Sequence, residues 1–511
     1  MESSQLVSYR FLTTILAFTI ILCSCVQKEK PSLGMFVGST DVGNVKHVGS
    51  TNFDEESQIY TLKGSGYNMW FDRDEFHFAW KKLSGDFILR THPKFVGEGA
   101  DPHQKMGLII RSGLDTASAY VDVAVHGDGL TSLQFRKANG DSTEEISTEI
   151  NDPDVIQLER IDGNIKMSVA KFGDNFTSET LESIDLGDEV YVGLFVSSHN
   201  ADVLEEAKFS NFRIVIPAED DFTPYQDYIG SNLEVMDVET GDRKILHKSK
   251  ESLQAPNWHP NGKSLIYNSN GLLYNFELES RTITELNTDF ATRNNNDHVI
   301  SFDGTKMGIS HHSEDHDGQS IIYTLPLEGG TPKLVTNQGP SYLHGWSADD
   351  EYLIYTAERN GQYDIYQIPA AGGEEVQLTD QPTLDDGSEY SPGGESIYFN
   401  SVRTGTMEIW KMKPDGSDQE QITSDEYNNW FPHISPDGKW MVYLAFPDDI
   451  DPSGHPFYKH VTLKLMPVDG GEPKIIAYLY GGQGTINVPS WSPDSKKIAF
   501  VSNTQYPELV D

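Results

Sequence analysis

Three imidazoles and a carboxylate that lie far apart in the chain, His298, His344, Glu389 and His433, share one local context. Each stands a few residues before a short motif: an aromatic or apolar residue, Ser or His, usually Pro, Asp or Asn, and Gly. The instances are Trp258-His259-Pro260-Asn261-Gly262, Ile300-Ser301-Phe302-Asp303-Gly304, Trp346-Ser347-Ala348-Asp349-Asp350, Tyr390-Ser391-Pro392-Gly393-Gly394, Ile434-Ser435-Pro436-Asp437-Gly438 and Trp491-Ser492-Pro493-Asp494-Ser495. Pro pre-sets φ and Gly accepts positive φ, so the motif turns the chain between two strands. Aligned on these turns, the six units bring one level of residues together. They contribute Pro256 and Asn257; Asn295, Asp297 and His298; His344; Asp385, Asp386 and Glu389; Trp430 and His433; Pro489 and Ser490. Two chemistries suit that set. His298, His344, His433 and Glu389 would give a divalent metal (Zn²⁺, Mn²⁺, Ni²⁺ or Ca²⁺) a mixed nitrogen and oxygen shell with an open position. Without metal, His beside Glu or Asp moves protons near neutral pH. The third reading is structural: the side chains satisfy one another and tie adjacent units together.

The neighbours of these residues suggest a sugar. Tyr342, Trp430 and Phe431 are flat apolar faces on which a pyranose ring can stack, and Asn295, Asp297 and Asp386 are polar partners for its hydroxyls. Arg403, if its loop faces the same way, would neutralise an acidic sugar while a histidine or tyrosine removed the proton beside the carboxylate. Arg359 and Arg403 recur at matching places, which equally suits a bridge between strands. The run His311-His312-Ser313-Glu314-Asp315-His316-Asp317 falls where a hairpin should turn and reads as a solvated loop. Upstream, Trp70, Phe71, Phe76 and Trp80 offer further aromatic surface. The alternation of Phe76, Phe78 and Trp80 favours an inward strand face.

A set of this kind needs a scaffold with circular symmetry. Each unit continues from its turn into a strand such as Glu408 to Met412, a second turn, and a strand ending Gln377-Leu378-Thr379 or Gln421-Ile422-Thr423. Four strands recurring at roughly 40–50 residues make a propeller blade. Six turns predict six blades, the last cut short. Asn232 to Asp237 and Arg243 to His247 are expected to supply its missing outer strands and close the ring. These repeats resemble the TolB-type (PD40) propellers, and the resemblance covers residues 228–511. Residues 34–216 carry non-repeating short alternating runs, among them Asp86 to Arg90, Met106 to Arg111 and Tyr120 to Val125, separated by Gly and Asn turns. This half resembles the concanavalin A-like β-sandwich domains often fused to carbohydrate-active proteins. An acidic, proline-bounded linker, 217–227, joins the two. The expected fold is therefore all-β: a concanavalin A-like sandwich followed by a six-bladed TolB-like propeller.

The amino terminus addresses the chain to an envelope. The apolar run Phe11 to Leu22 is too short to span a bilayer and suits a signal-peptide core. It ends in Leu22-Cys23-Ser24-Cys25, which resembles a bacterial lipobox. That resemblance implies a lipobox segment, 1–25, cleaved before Cys25 so that the lipid-bearing Cys25 becomes the first residue, with 26–33 as a tether. The expected place is the bacterial cell envelope, lipid-anchored, at the outer membrane. Beyond Cys23 and Cys25 there is no cysteine for a disulfide or thiolate site. With 78 acidic against 38 basic residues and a formal charge of −40, nucleic acid is excluded as a partner. A Gly-x-Ser-x-Gly elbow, a phosphate-binding glycine loop and His-Glu-x-x-His are all missing from the sequence. The expected function is capture or processing of an oligosaccharide or polysaccharide, as a lyase or glycoside-cleaving enzyme. The alternative is a non-catalytic module that binds an envelope protein.

Overall fold

The computed structural model describes residues 32–507, and within them the chain is all-β apart from one 3₁₀ turn, Glu314–His316. The apolar leader, Cys25 and most of the expected tether lie outside the described residues. No described helix is long and apolar enough to cross a membrane.

The turn motif predicted from sequence shows why it recurs. In Ser301, Ser347, Ser435 and Ser492 the hydroxyl donates to the carboxylate two residues on, at 2.8, 2.5, 2.7 and 2.6 Å. The same hydroxyl accepts the amide of the residue that starts the next strand, as at Lys306, Tyr352, Trp440 and Lys497. Serine and aspartate thereby satisfy backbone groups that a tight turn would leave unpaired. The tryptophan ahead of the motif reaches the previous blade: Trp346 Nε1 donates to the Val299 carbonyl and Trp491 Nε1 to the His433 carbonyl. One local sequence thus makes both the hairpin and the bond between blades.

Five four-stranded antiparallel sheets follow one another, with innermost strands Gln254–Trp258, Asn294–Ile300, Ser341–Trp346, Asp385–Tyr390 and Asn428–Ile434. The sixth blade is the one expected from the truncated last repeat. Its strand Lys497–Asn503 pairs in register with Ser231–Asp237, which pairs in turn with Arg243–Ser249, and a single bridge from Trp491 to Ile498 stands at its inner side. Closure by the two ends of the repeat region leaves the ring without a free inner break.

Ahead of the propeller, residues 38–215 form two seven-stranded antiparallel sheets. Alternate residues of both sheets enter one core: Leu108, Ile110, Val121, Val123 and Leu194 from one, Tyr60, Leu62, Leu89, Leu158 and Phe209 from the other. Phe76 and Phe78 are fully buried, as their alternation predicts, but against the opposite face of the first sheet, beneath Met69 of the loop 66–75. That loop is clamped by Asp74, whose carboxylate accepts from Arg111 at 2.6 Å and from Arg136 at 2.8 Å, all three side chains being inaccessible to solvent.

The two units are bound by a dry ionic contact. Glu234, on the closing strand of the propeller, accepts from Arg213 of the two-sheet unit at 2.6 Å and from Arg243 at 2.8 Å. Gln58 exchanges both amide bonds with Ile245, Asn211 bonds the backbone of Gly241 and Arg243, and Phe176 stacks on Tyr478 at 4.0 Å. Residues 217–227 are packed too, with Phe222 edge-on to Tyr458 at 4.8 Å. Burial alone would raise the Glu234 carboxyl, yet the two guanidinium groups hold it down at about 2. A depressed carboxylate stabilises the fold above its unfolded value and loses that contribution as pH falls toward about 2. Glu234→Gln is therefore expected to cost about 3–5 kcal/mol at neutral pH, since two buried cations lose their partner. Urea unfolding at pH 7 and pH 3 checks this, the gap between variant and wild type narrowing at the lower pH.

Candidate functional site

All five innermost strands carry a β-bulge, and the bulge decides which side chains reach the propeller mouth. The register shifts between Gln254 and Asn257, Asn294 and His298, Leu343 and Gly345, Asp386 and Glu389, and Trp430 and His433. Bulges re-aim side chains beside functional sites. In four blades one extra residue is inserted. In the second, Asn294 faces His311 while His298 faces Ile309, so four steps along one strand oppose two along its partner. Alignment on the turn motif makes His298 and His344 equivalent, but the larger bulge puts Asp297 at the mouth and sends His298 below it.

The mouth is a cavity of about 1000 Å³. Of the residues singled out from sequence, it is lined by Asn295, Asp297, Tyr342, His344, Asp386 and Phe431. The structure does not bring His298, His433 and Glu389 to it. The fully buried His298 ring lies 3.3 Å from the Ile266 carbonyl, and burial depresses its pKa to about 4. His433 is held at 2.6 Å on each side, by Glu389 through Nδ1 and by the Ile486 carbonyl through Nε2, while Glu389 also accepts the Ile434 amide. These three tie neighbouring blades together. The four-residue metal set therefore does not assemble, and among the described residues no three His, Cys, Asp or Glu side chains are placed to hold an ion. Trp430 is fully buried behind the wall, edge-on to His455 at 4.6 Å. Arg403 points away from the mouth. It pairs with Asp385 at 2.9 Å and lies over the Trp410 ring, so it joins strands rather than facing an acidic ligand. Arg359 does the same with Glu375. Of the histidine-rich run, His312 lines the rim and His311 packs against Tyr323.

Electrostatically the mouth is organised around Asp386. Its Oδ1 accepts from the Thr356 hydroxyl and the Gly387 amide, both at 2.7 Å, and lies 3.0 Å from His344 Nε2. The His344 N–H does not aim at that oxygen, so the attraction is Coulombic and the buried Nε2 makes no hydrogen bond. Although burial opposes both ionised forms, the pair sustains them: Asp386 is held at about 2 and His344 is raised above its ordinary value. Asp297, buried nearby, is pushed the other way by desolvation, to about 6. Two carboxyls in one cavity thus differ in protonation across mildly acidic pH, the division of labour that acid–base chemistry needs. Other buried polar atoms on the wall also lack partners: Asn294 Oδ1, Asn296 Nδ2 and His455 Nδ1.

Several wall residues were not identified from sequence. His455, 3.9 Å from Asp386, comes from the segment 447–458 between two strands of the fifth blade, and Tyr225 and Tyr228 come from the chain just outside and inside the propeller's expected start. The length of 447–458, beside the tight turns of the neighbouring blades, is the signal that was present. Alignment of inner strands alone passes over loops that fold back across the mouth. Phe431 adds backbone strain, at φ +55°, in a bulky residue that rarely adopts it.

Asp386→Asn should lower the His344 titration, because burial is then opposed by less negative charge. The pair's contribution to stability is present below pH about 6.5, the unfolded imidazole value, and lost as pH rises through the raised native one. NMR titration of the His344 ring in both chains is the check. An unchanged midpoint would show that Asp386 does not set it.

Residues 344–451 match the family model described as TolB beta propeller domain, PD40. A protein of Agrobacterium fabrum, the uncharacterized Atu1656, is 44% identical over 272 residues, covering 53% of this chain and 92% of that one. A solved structure from Agrobacterium tumefaciens, provisionally assigned as TolB, is 42% identical and has a TM-score of 0.52 over 55% of this chain and all of its own. The Tol-Pal system protein TolB of Francisella tularensis is 24% identical over 276 residues, 52% of this chain and 58% of that protein. With a six-bladed ring built on these repeats, the chain belongs to the TolB-like β-propeller family that includes the Agrobacterium protein.

Proposed function

We propose that the propeller mouth binds the end of a saccharide chain and that Asp297, His344 and Asp386 serve it as a metal-free acid–base set. The observation that carries this reading is the wall of the mouth. It combines ring faces from Tyr225, Tyr342, Tyr363 and Phe431 with buried polar atoms that have no protein partner. A sugar offers hydroxyls that both donate and accept beside an apolar C–H face, which answers both needs. Asp297, protonated below about 6, gives its proton to the glycosidic oxygen as that bond breaks, while water adds to the anomeric carbon and passes its proton to the ionised Asp386 carboxylate. His344 Nε2 donates to a ligand oxygen, and Asp386 keeps that ring charged. With the carboxylates of Asp297 and Asp386 inside and Arg403 outside, the mouth favours a neutral saccharide over a uronate.

The wider setting belongs to the same proposal. A Cys25 lipid anchor at the outer membrane would hold the protein in the envelope, with the two-sheet unit as a concanavalin A-like sandwich and residues 217–227 as the joint. A second reading, a non-catalytic module for an envelope protein partner, draws support from the relative named for the Tol-Pal system.

Incubation with a panel of neutral oligosaccharides, read by calorimetry and by released reducing ends, separates the two. Tyr342→Ala is expected to weaken binding by roughly tenfold, the order of one lost aromatic contact. Asp297→Asn is expected to keep binding and lose about 10²–10⁴ in cleavage, favouring acidic pH in the wild type. Wild-type protein that binds no saccharide, yet captures one purified envelope protein equally well with either substitution, would support the second reading instead.

A further inference from the structure

The two-sheet unit contains a pocket that the propeller site does not use. Its floor is the face of the first sheet turned away from the shared core. Lys105 stands directly opposite His126, and Gln134 lies between Asp122 and Glu145 in adjacent register. Side chains two apart on a strand share a face, so Asp122, His126, Lys105, Gln134 and Glu145 form one polar patch, beside the Arg111 and Arg136 that hold Asp74 on the same face. Its walls are His103 and His199, their rings 5.4 Å apart, and Asn68 and Trp70 from the clamped loop. The enclosed volume is about 280 Å³, enough for one small ring.

Hydrogen bonding at the floor fixes what it offers. Lys105 Nζ donates to Gln134 Oε1 at 3.1 Å, so the amide nitrogen of Gln134 faces His126 Nε2, at 3.0 Å. That ring nitrogen must accept, and the neutral His126 therefore carries its proton on Nδ1. Burial keeps the ring neutral, at about 3. Its Nδ1 is buried and has no partner, and neither has His199 Nδ1. A buried donor left open costs about 1–3 kcal/mol unless something fills the role. Lys105 brings no fixed positive charge to a ligand, because burial lowers its ammonium and raises the Asp122 carboxyl that it faces, and Glu145 stands beside it. Anions are further disfavoured by the charge of −40.

The loop beside the pocket presents aromatic surface rigidly. Tyr67 is 61% exposed and Phe71 58%, flanking the half-buried Trp70. Such residues are normally withdrawn from water. Here the Tyr120 hydroxyl bonds the Met69 carbonyl and Arg136 bonds that of Phe71, so the loop cannot collapse to hide them. An open imidazole donor, a second unpartnered ring nitrogen, an amide and an indole in a one-ring cavity of no fixed positive charge call for a ligand with hydroxyls on its edge and C–H groups on its face.

We propose that this pocket, lined by Asn68, Trp70, His103, Lys105, His126 and His199, binds a single neutral pyranose unit. It stands on the two-sheet unit alone and does not depend on the reading of the propeller mouth.

Calorimetric titration of the full chain with methyl glycosides of glucose, galactose, mannose and xylose tests it, with histidine ring resonances followed by NMR. At least one glycoside is expected to bind with millimolar affinity or better and to shift the His126 and His199 signals. Trp70→Ala should weaken it by roughly tenfold. His199→Asn, which tolerates the left-handed backbone at φ +55°, should weaken it with no change in the urea unfolding midpoint, guarding against a folding artefact. The proposal falls if no glycoside moves those resonances. It also falls if zinc or acetate shifts them where glycosides do not, or if binding is lost in Tyr342→Ala and kept in Trp70→Ala.

Discussion

The strand Ser231–Asp237 is the piece on which the rest of the molecule depends, because it does two jobs with its two kinds of contact. Its backbone pairs residue for residue with Lys497–Asn503, joining the start of the repeat region to the end of the chain. Its Glu234 side chain meets Arg213 and Arg243 in a site closed to water. Ring closure and docking of the two-sheet unit are therefore linked through one carboxylate. Before the closing strand pairs, Glu234 has no reason to be buried. Once it is buried, the cost of desolvating three charges is offset only if Arg213 arrives from the other unit. This couples two cores that share few residues, and it makes the mouth, which is built from loops of several blades, as rigid as the ring that carries them.

Rigidity matters because the mouth holds groups that would otherwise relax. Unpartnered Asn294, Asn296, His344 and His455 atoms, a Phe431 at positive φ and two carboxyls of unequal protonation are all unfavourable locally. A free loop would relieve them by exposure to water. Here all but His455, which the segment 447–458 carries, are fixed by an inner strand that is itself bulged, and Trp-to-carbonyl bonds join blades, as Trp346 to Val299 and Trp491 to His433. Stored cost at a concave, polar site is what a ligand can recover on binding.

Much of the architecture was legible in the chain because it rests on turns. Ser-Pro-Asp-Gly acts through bonds within six residues, so the repeats, the blade count and the closing strands could be read from spacing alone. The mouth was legible in part. His344, Asp386, Asp297, Asn295 and Tyr342 were identified, since they sit close before the turns. His298 was not distinguishable from His344, because each stands two residues before its motif and a bulge is decided by the pairing of two strands, leaving little trace in either sequence. His433 and Glu389 stand one residue before theirs, a difference in spacing that strand alternation turns to the other side. One inserted residue more in the second blade than in the third is enough to exchange Asp297 for His298 at the mouth. His455 and Tyr225 arrive along loops whose path depends on what they pack against, Phe431 for one and Phe457 for the other.

The same reasoning explains why the polar face of the two-sheet unit escaped notice. Tyr120-Val121-Asp122-Val123-Ala124-Val125-His126 reads as an ordinary strand with one side in the core, and it is one. The other side would normally meet water, where Asp122 and His126 need no explanation. It is instead roofed by the loop 66–75, which the Asp74 carboxylate draws down onto Arg111 and Arg136. That clamp converts a solvated face into an enclosed one and leaves Asp122, Lys105 and His126 to satisfy one another as far as geometry allows. What remains unmet, a neutral imidazole N–H in a pocket walled by an indole, follows from a loop whose position is set by a charge four residues from the ring it presents.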